Sequence, residues 1–205
     1  VRVMAAPRYD AARLLARRAD ALEGPRAPAP RLIAFTDPER TPDLQGLAER
    51  LPAGSGLVLR TFGRPALEAE AFNLAALARD RGLVILIAAD PALALRCGAH
   101  GVHWPQAMLD RAARWRARFA LMSASAHDPA AARRAAGLCD LVFVSPAFAS
   151  ASPSAGRPMG AFRLAAYARR TPAPVYALGG VNARTAARLR GLGISGLAAI
   201  DGVMA

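Results

Sequence analysis

This 205-residue sequence holds three histidines, His100, His103 and His127, the side-chain type whose ordinary pKa lies nearest neutral pH. An imidazole in that range accepts a proton and returns it, the step that a general acid–base catalyst performs. In Ser125-Ala126-His127 the histidine follows a serine by two residues. His127 is therefore the candidate acid–base group, with Ser125 as its orienting partner, and His103 is a candidate polar contact for a substrate. For either imidazole the competing role is a hydrogen bond that holds neighbouring strands together. The second chemistry on offer is anion binding. The apolar run Pro174-Val175-Tyr176-Ala177-Leu178 ends in Gly179-Gly180-Val181, with Asn182 at an N-cap position before a stretch of helical spacing. Glycine tolerates left-handed backbone and bares its N–H, and a helix N-terminus favours negative charge. Gly179, Gly180 and Val181 are candidate phosphate donors, joined by Gly202 after the next apolar run. The competing reading of the Gly-Gly pair is an ordinary tight turn. Arg60 can grip phosphate or pyrophosphate oxygens bidentately, with Arg64 and Arg157 on neighbouring loops. Ser150 and Ser152 bring hydroxyls into loop 149–158, whose small residues fit a lid over a site.

These residues stand at the ends of a regular series. Eight apolar runs, 31–36, 56–61, 83–88, 101–104, 119–125, 141–145, 175–178 and 197–200, read as strands. Between them 42–50, 66–79, 91–97, 109–116, 129–136, 161–170 and 183–192 read as helices. Short, nearly unbroken apolar strands separated by helices suggest parallel strands buried on both faces. Thr36-Asp37-Pro38-Glu39 follows the first strand in place of a glycine-rich dinucleotide turn, which weakens the case for an open doubly wound sheet. The expected fold class is α/β, a compact (β/α)8 TIM barrel with its site at the C-terminal strand ends. Ahead of it, Ala11, Leu14, Leu15, Ala19 and Leu22 repeat with helical spacing over 9–23, and the proline-rich 24–30 reads as a stiff linker. The division is 1–30 as N-terminal helix and linker and 31–205 as barrel. Little sequence follows the eighth strand, so the final helix is expected to be short or missing, with helix 9–23 covering its groove.

Composition narrows the function classes. The net charge of +12 comes from arginines scattered over the helical stretches, with no aromatic-interleaved patch, so no nucleic-acid partner is expected. No lysine is present, which rules out a lysine Schiff base. The sequence lacks a run of about 18 apolar residues and an apolar signal core, giving an expectation of no membrane partner and a cytoplasmic location. Cys97 and Cys139 have no metal-ligand spacing and are expected to be buried. Whether copies of the chain form a homo-oligomer is left open.

In chain order, Phe35-Thr36-Asp37, Leu59-Arg60, Gly101-Val102-His103 with Gln106, Ser125-Ala126-His127, Ser145-Pro146-Ala147-Phe148 and Ala177-Leu178-Gly179-Gly180-Val181-Asn182 resemble the strand ends of the thiamine phosphate synthase/TenI family of barrels. The resemblance runs over about residues 32–204. It implies a thiazole phosphate at the seventh and eighth strand ends, held at Gly179, Gly180 and Val181, with Arg60 facing an anionic substrate. It also implies one of two activities. Synthases join the thiazole phosphate to an aminopyrimidine pyrophosphate, with Mg²⁺ assisting departure of pyrophosphate. Related members move a proton on the thiazole without pyrimidine or metal, using a histidine that His127 matches.

Several positions depart from the family pattern. Ala88-Ala89-Asp90 replaces an Asn-Asp pair, no acidic residue follows Gln106, Val58 and Phe62 stand where a Gln and a Lys flank Arg60, and Pro153 stands about where a Lys belongs. Asp201 replaces a serine, and a carboxylate ~4 Å from a phosphate repels it by roughly 1 kcal/mol in water. These departures imply lost metal ligands. They favour proton transfer on a small phosphorylated substrate without a cofactor, Mg²⁺ entering only if the synthase reading holds. A non-catalytic ligand-binding or regulatory barrel is the remaining alternative.

Overall fold

The computed structural model describes residues 10–150, 152 and 156–204. Eight parallel strands pair in chain order and close on themselves: β1 Leu32–Phe35, β2 Gly56–Leu59, β3 Val84–Ala88, β4 Gly101–Trp104, β5 Leu121–Ala126, β6 Leu141–Val144, β7 Val175–Ala177 and β8 Gly196–Ala199. The ring is sealed where Leu32 of β1 lies opposite Leu197 of β8. Each strand lies within two residues of its expected bounds, because an apolar run buried on both faces leaves little freedom in where the ladder starts.

Alternate residues fill the barrel. Ile33, Phe35, Val58, Leu86, Leu121, Leu141, Phe143, Tyr176 and Ala198 pack together inside it. Gly196 is required there, since a Cβ would run into the Tyr176 ring. The intervening residues, Leu57, Leu59, Ile85 and Ile87 among them, meet the apolar faces of the helices. These are α2 Leu44–Arg50, α3 Pro65–Asp80, α4 Pro91–Cys97, α5 Pro129–Ala136, α6 Gly160–Arg170 and the one-turn α7 Ala183–Ala186. Helices α4 and α5 begin on an Asp-Pro pair, in which Asp90 accepts from the Leu93 N–H and Asp128 from the Ala131 N–H, both at 2.8 Å.

Helix α1, Ala11–Asp20, buries Ala12, Leu15 and Ala19 against α7, β8, β1 and the 3₁₀ turn Asp201–Val203. It thus covers the groove expected of it, although Tyr9, where the expected helix starts, lies outside the described residues. Residues 24–30 are more than a linker. The Gly24 N–H donates to the Ile194 carbonyl at 3.1 Å, and Ala27 and Ala29 pack under the barrel's inner core. Residues 106–118 differ from the expected α-helix: Gln106–Arg118 is a 3₁₀ helix. Its apolar residues, Leu109, Ala112 and Trp115, recur every third position, matching three residues per turn. Cys97 and Cys139 are buried free thiols, and burial pushes the Cys139 thiol up to about 12.

Candidate functional site

The two glycines after β7 hold left-handed backbone, with φ of 89° at Gly179 and 63° at Gly180. The loop leaving β6 leans on this turn: Ala147 N–H donates to Leu178 O at 2.8 Å and Phe148 N–H to Gly179 O at 2.9 Å. A Cβ at Gly180 would strike the Ala149 carbonyl, and one at Gly202 the Val181 carbonyl. Close packing therefore demands these glycines as firmly as the turn does.

The start of α7 is a different matter. Asn182 Oδ1 accepts from the N–H groups of Arg184 and Thr185, each at 3.0 Å, and Thr185 Oγ1 accepts from the Asn182 N–H at 2.9 Å. This capping box takes up the N–H groups of Asn182, Arg184 and Thr185, so the helix end offers an anion fewer donors than the sequence leads one to expect. Further donors lie just earlier in the chain. The N–H groups of Gly179, Gly180 and Val181 have no hydrogen-bond partner among the described residues. With Gly202, Ser150, Asp201 and Arg40 they line a cavity of about 240 Å³. Of the expected lid, Ser150 lies on this cavity wall and its Oγ accepts from the Ser152 N–H at 3.3 Å; positions 151 and 153–155 lie outside the described residues.

Arg60 does not line this cavity. Its Nε donates to the Thr36 carbonyl at 2.6 Å and its Nη2 to Asp37 Oδ2 at 3.0 Å, with Phe35 and Phe62 facing its guanidinium. It lines a neighbouring cavity of about 250 Å³ with Thr36, Pro42, Arg64 and Leu67. The cation of the glycine pocket is instead Arg40, which sequence reasoning misses. Its Nη2 donates to Asp37 Oδ2 at 3.0 Å and its Nη1 to Asp201 Oδ2 at 3.2 Å. Asp37 thus joins both guanidiniums, and the hydrogen bonds from Arg40 hold its carboxyl down at about 2. The Asp37-x-x-Arg40 spacing is the available signal, lost in a sequence with 27 basic residues.

The histidines separate into two environments. His103 is inside the barrel, edge-on to Phe35 and Phe143, with Nδ1 3.0 Å from Ser123 Oγ and Nε2 2.9 Å from Ser125 Oγ. Burial pushes it down to about 3, so it is neutral at physiological pH. Ser125 therefore serves His103, and the expectation that it orients His127 is corrected: β5 ends at Ala126, His127 has left the strand, and the Ser125 oxygen finds its partner on the neighbouring strand β4. His127 sits exposed beyond β5, its Nδ1 3.1 Å from both the carbonyl and the hydroxyl of Ser145, and its N–H donates to Gln106 Oε1 at 2.7 Å. Nε2 of His127 has no hydrogen-bond partner among the described residues.

The carboxylates at this end are engaged within the protein. Asp90 caps α4, Asp37 and Asp201 are held by guanidiniums that would repel a cation, and Asp110 pairs with Arg134 at 3.3 Å. Among the described residues, no three His, Cys, Asp or Glu side chains are grouped to hold a metal ion.

Taken together, the fold and the cavity at the ends of β7 and β8 define a TIM barrel with a pocket of unpaired N–H groups at its C-terminal face. Residues 32–203 match the family model for thiamine monophosphate synthase, and the chain belongs to that family, which also includes TenI. It is 36% identical over 186 residues to the thiamine-phosphate synthase of Thioalkalivibrio sulfidiphilus, a match covering 80% of this chain and 85% of the relative. Among solved structures, thiamine phosphate pyrophosphorylase from Pyrococcus furiosus superposes with a TM-score of 0.71 at 21% identity, covering 85% of this chain and 87% of that one. Its counterpart from Bacteroides thetaiotaomicron gives a TM-score of 0.53 at 19% identity, with 84% and 83% covered. At such identities the two superpositions speak for the fold. No helix among the described residues is long and apolar enough to cross a membrane.

Proposed function

We propose that this barrel binds a thiazole phosphate in the glycine pocket and moves a proton on its ring, with His127 as the acid–base group. The observation that carries the binding is the row of unpaired N–H groups at Gly179, Gly180 and Val181, beside Gly202 and Arg40 in one cavity. Donors of this kind suit a phosphate dianion without depending on side-chain identity. His127 suits the proton step because Ser145 engages one ring nitrogen and leaves Nε2 for a ligand. His103 and Ser125 form a neutral, hydrogen-bonded floor beneath the mouth, and no cofactor enters the reaction.

A second reading, condensation of the thiazole phosphate with an aminopyrimidine pyrophosphate, is favoured by the 36% identity to a named synthase. Against it weighs the engagement of Asp90 by the α4 cap and of Asp37, Asp201 and Asp110 by arginines. The test is to incubate the thiazole phosphate with the protein in deuterated water and follow isotope entry into the ring by NMR. Exchange by the wild type, lowered about 10²–10⁴-fold in His127→Ala, supports the proton-transfer reading. Exchange that His127→Ala leaves unchanged removes the assignment, and Mg²⁺-dependent product formation with both substrates establishes the second reading.

A further inference from the structure

Asp201 stands in the cavity that the phosphate reading requires, and a carboxylate there opposes a dianion. The surrounding contacts resolve the conflict. Arg40 is held between two carboxylates of unequal freedom. Asp37 is anchored: only 18% of its side chain is exposed, and it accepts from both Arg40 and Arg60, and from the N–H groups of Glu39 and Arg40 at 3.2 Å each. Asp201, by contrast, has 56% of its side chain exposed, and its carboxylate accepts a single hydrogen bond among the described residues, of 3.2 Å, from Arg40 Nη1. It opens a 3₁₀ turn rather than lying within a packed strand, so its side chain turns toward solvent without disturbing the core.

We propose that Arg40 is a phosphate-binding residue of this chain and that Asp201 is its displaceable stand-in anion. In the free protein Asp201 neutralises Nη1 while Asp37 fixes the other edge of the guanidinium. When a phosphate settles on the N–H groups of Gly179, Gly180 and Val181, one of its oxygens replaces the Asp201 carboxylate on Nη1, and Asp201 swings outward. The bond to Asp37 persists, so the guanidinium is already aimed before the ligand arrives. Arg40 thereby supplies the charge for this pocket, while Arg60, tied to Thr36 and Asp37, lines the neighbouring cavity. This assignment rests on the phosphate reading of the same pocket.

Calorimetric titration of inorganic phosphate and of the thiazole phosphate into wild type, Arg40→Gln and Asp201→Ser tests it. Arg40→Gln is expected to weaken both ligands by about tenfold or more, the loss of a charge-assisted hydrogen bond. Asp201→Ser is expected to tighten both by roughly tenfold, because a competitor and a like charge are gone together. Unchanged affinity in a folded Arg40→Gln protein, or weaker binding by Asp201→Ser, overturns the assignment of Arg40 and Asp201 and leaves the pocket's phosphate reading standing. If Arg40→Gln does not fold, the direction of the Asp201→Ser change decides alone. Failure of wild type and Asp201→Ser alike to bind either ligand refutes the phosphate reading and this inference with it.

Discussion

Replacing Gly180 by alanine separates two costs that the structure keeps distinct. Gly180 has a φ of 63°, which burdens any residue with a Cβ by about 1–2 kcal/mol. Its Cβ would also strike the Ala149 carbonyl and lie 2.8 Å from the carbonyl carbon of Phe148, both backbone atoms of the loop leaving β6. That loop is fastened to the turn by the Ala147 and Phe148 N–H groups, so it yields only by giving up those bonds at about 1 kcal/mol each. The expected destabilisation for Gly180→Ala is therefore roughly 3–4 kcal/mol. Gly54 is the control: its φ is 80°, but nothing lies within 4 Å of the point where a Cβ would stand, so Gly54→Ala bears the backbone cost alone. Differential scanning calorimetry should show a Tm drop for Gly180→Ala about two- to threefold that for Gly54→Ala, at about 2–4 °C per kcal/mol for a chain of this size. Gly180→Ala should also lose the Tm rise that phosphate confers, whereas Gly54→Ala keeps it. Equal melting of the two variants would refute the packing argument, and a retained phosphate response in Gly180→Ala would refute the role of this turn in binding.

Other outcomes follow from the same structure. Leu15→Ala removes a fully buried side chain from α1, and urea unfolding should register a loss of about 2–5 kcal/mol if the helix belongs to the core. His103 has a folded pKa of about 3 against an ordinary 6.5, so the unfolded chain takes up its proton first as pH falls. The stability it contributes is full above about 6.5 and declines toward about 3; His103→Asn should flatten that part of a Tm-against-pH profile. Asp37→Asn leaves the Arg40 and Arg60 guanidiniums without their shared carboxylate and should cost roughly 2–3 kcal/mol in urea unfolding at pH 7.

Much of the barrel is legible in the sequence because its signal is local and repeated. Apolar strands such as Val84–Ala88 announce themselves, and Asp-Pro before α4 and α5 marks a helix start without reference to anything distant. The turn at Gly179 and Gly180 is legible for the same reason. What stays hidden depends on which side chains meet across the sheet. Ser125 lies two residues from His127, yet its oxygen belongs to His103, 22 residues away on the neighbouring strand. Sequence alone does not rank Arg40 above Arg60, because both are arginines on loops. Only the closed ring, which brings β1 beside β8, puts Arg40 against Asp201. The Leu109, Ala112, Trp115 rhythm is visible in the sequence, but an α-helix would also keep these three residues within an arc of about 120°, on one face, so the spacing does not separate the two helix types.

The central claim, that the ligand is anchored through its phosphate at the Gly179–Gly180–Val181 turn, is tested most directly by calorimetric titration of a thiazole phosphate against the same thiazole bearing a free hydroxyl. Binding of the phosphate ester with at least about a hundredfold preference over the alcohol, competed away by inorganic phosphate, is the predicted result. Equal affinity for the two thiazoles, with no competition from phosphate, would contradict it.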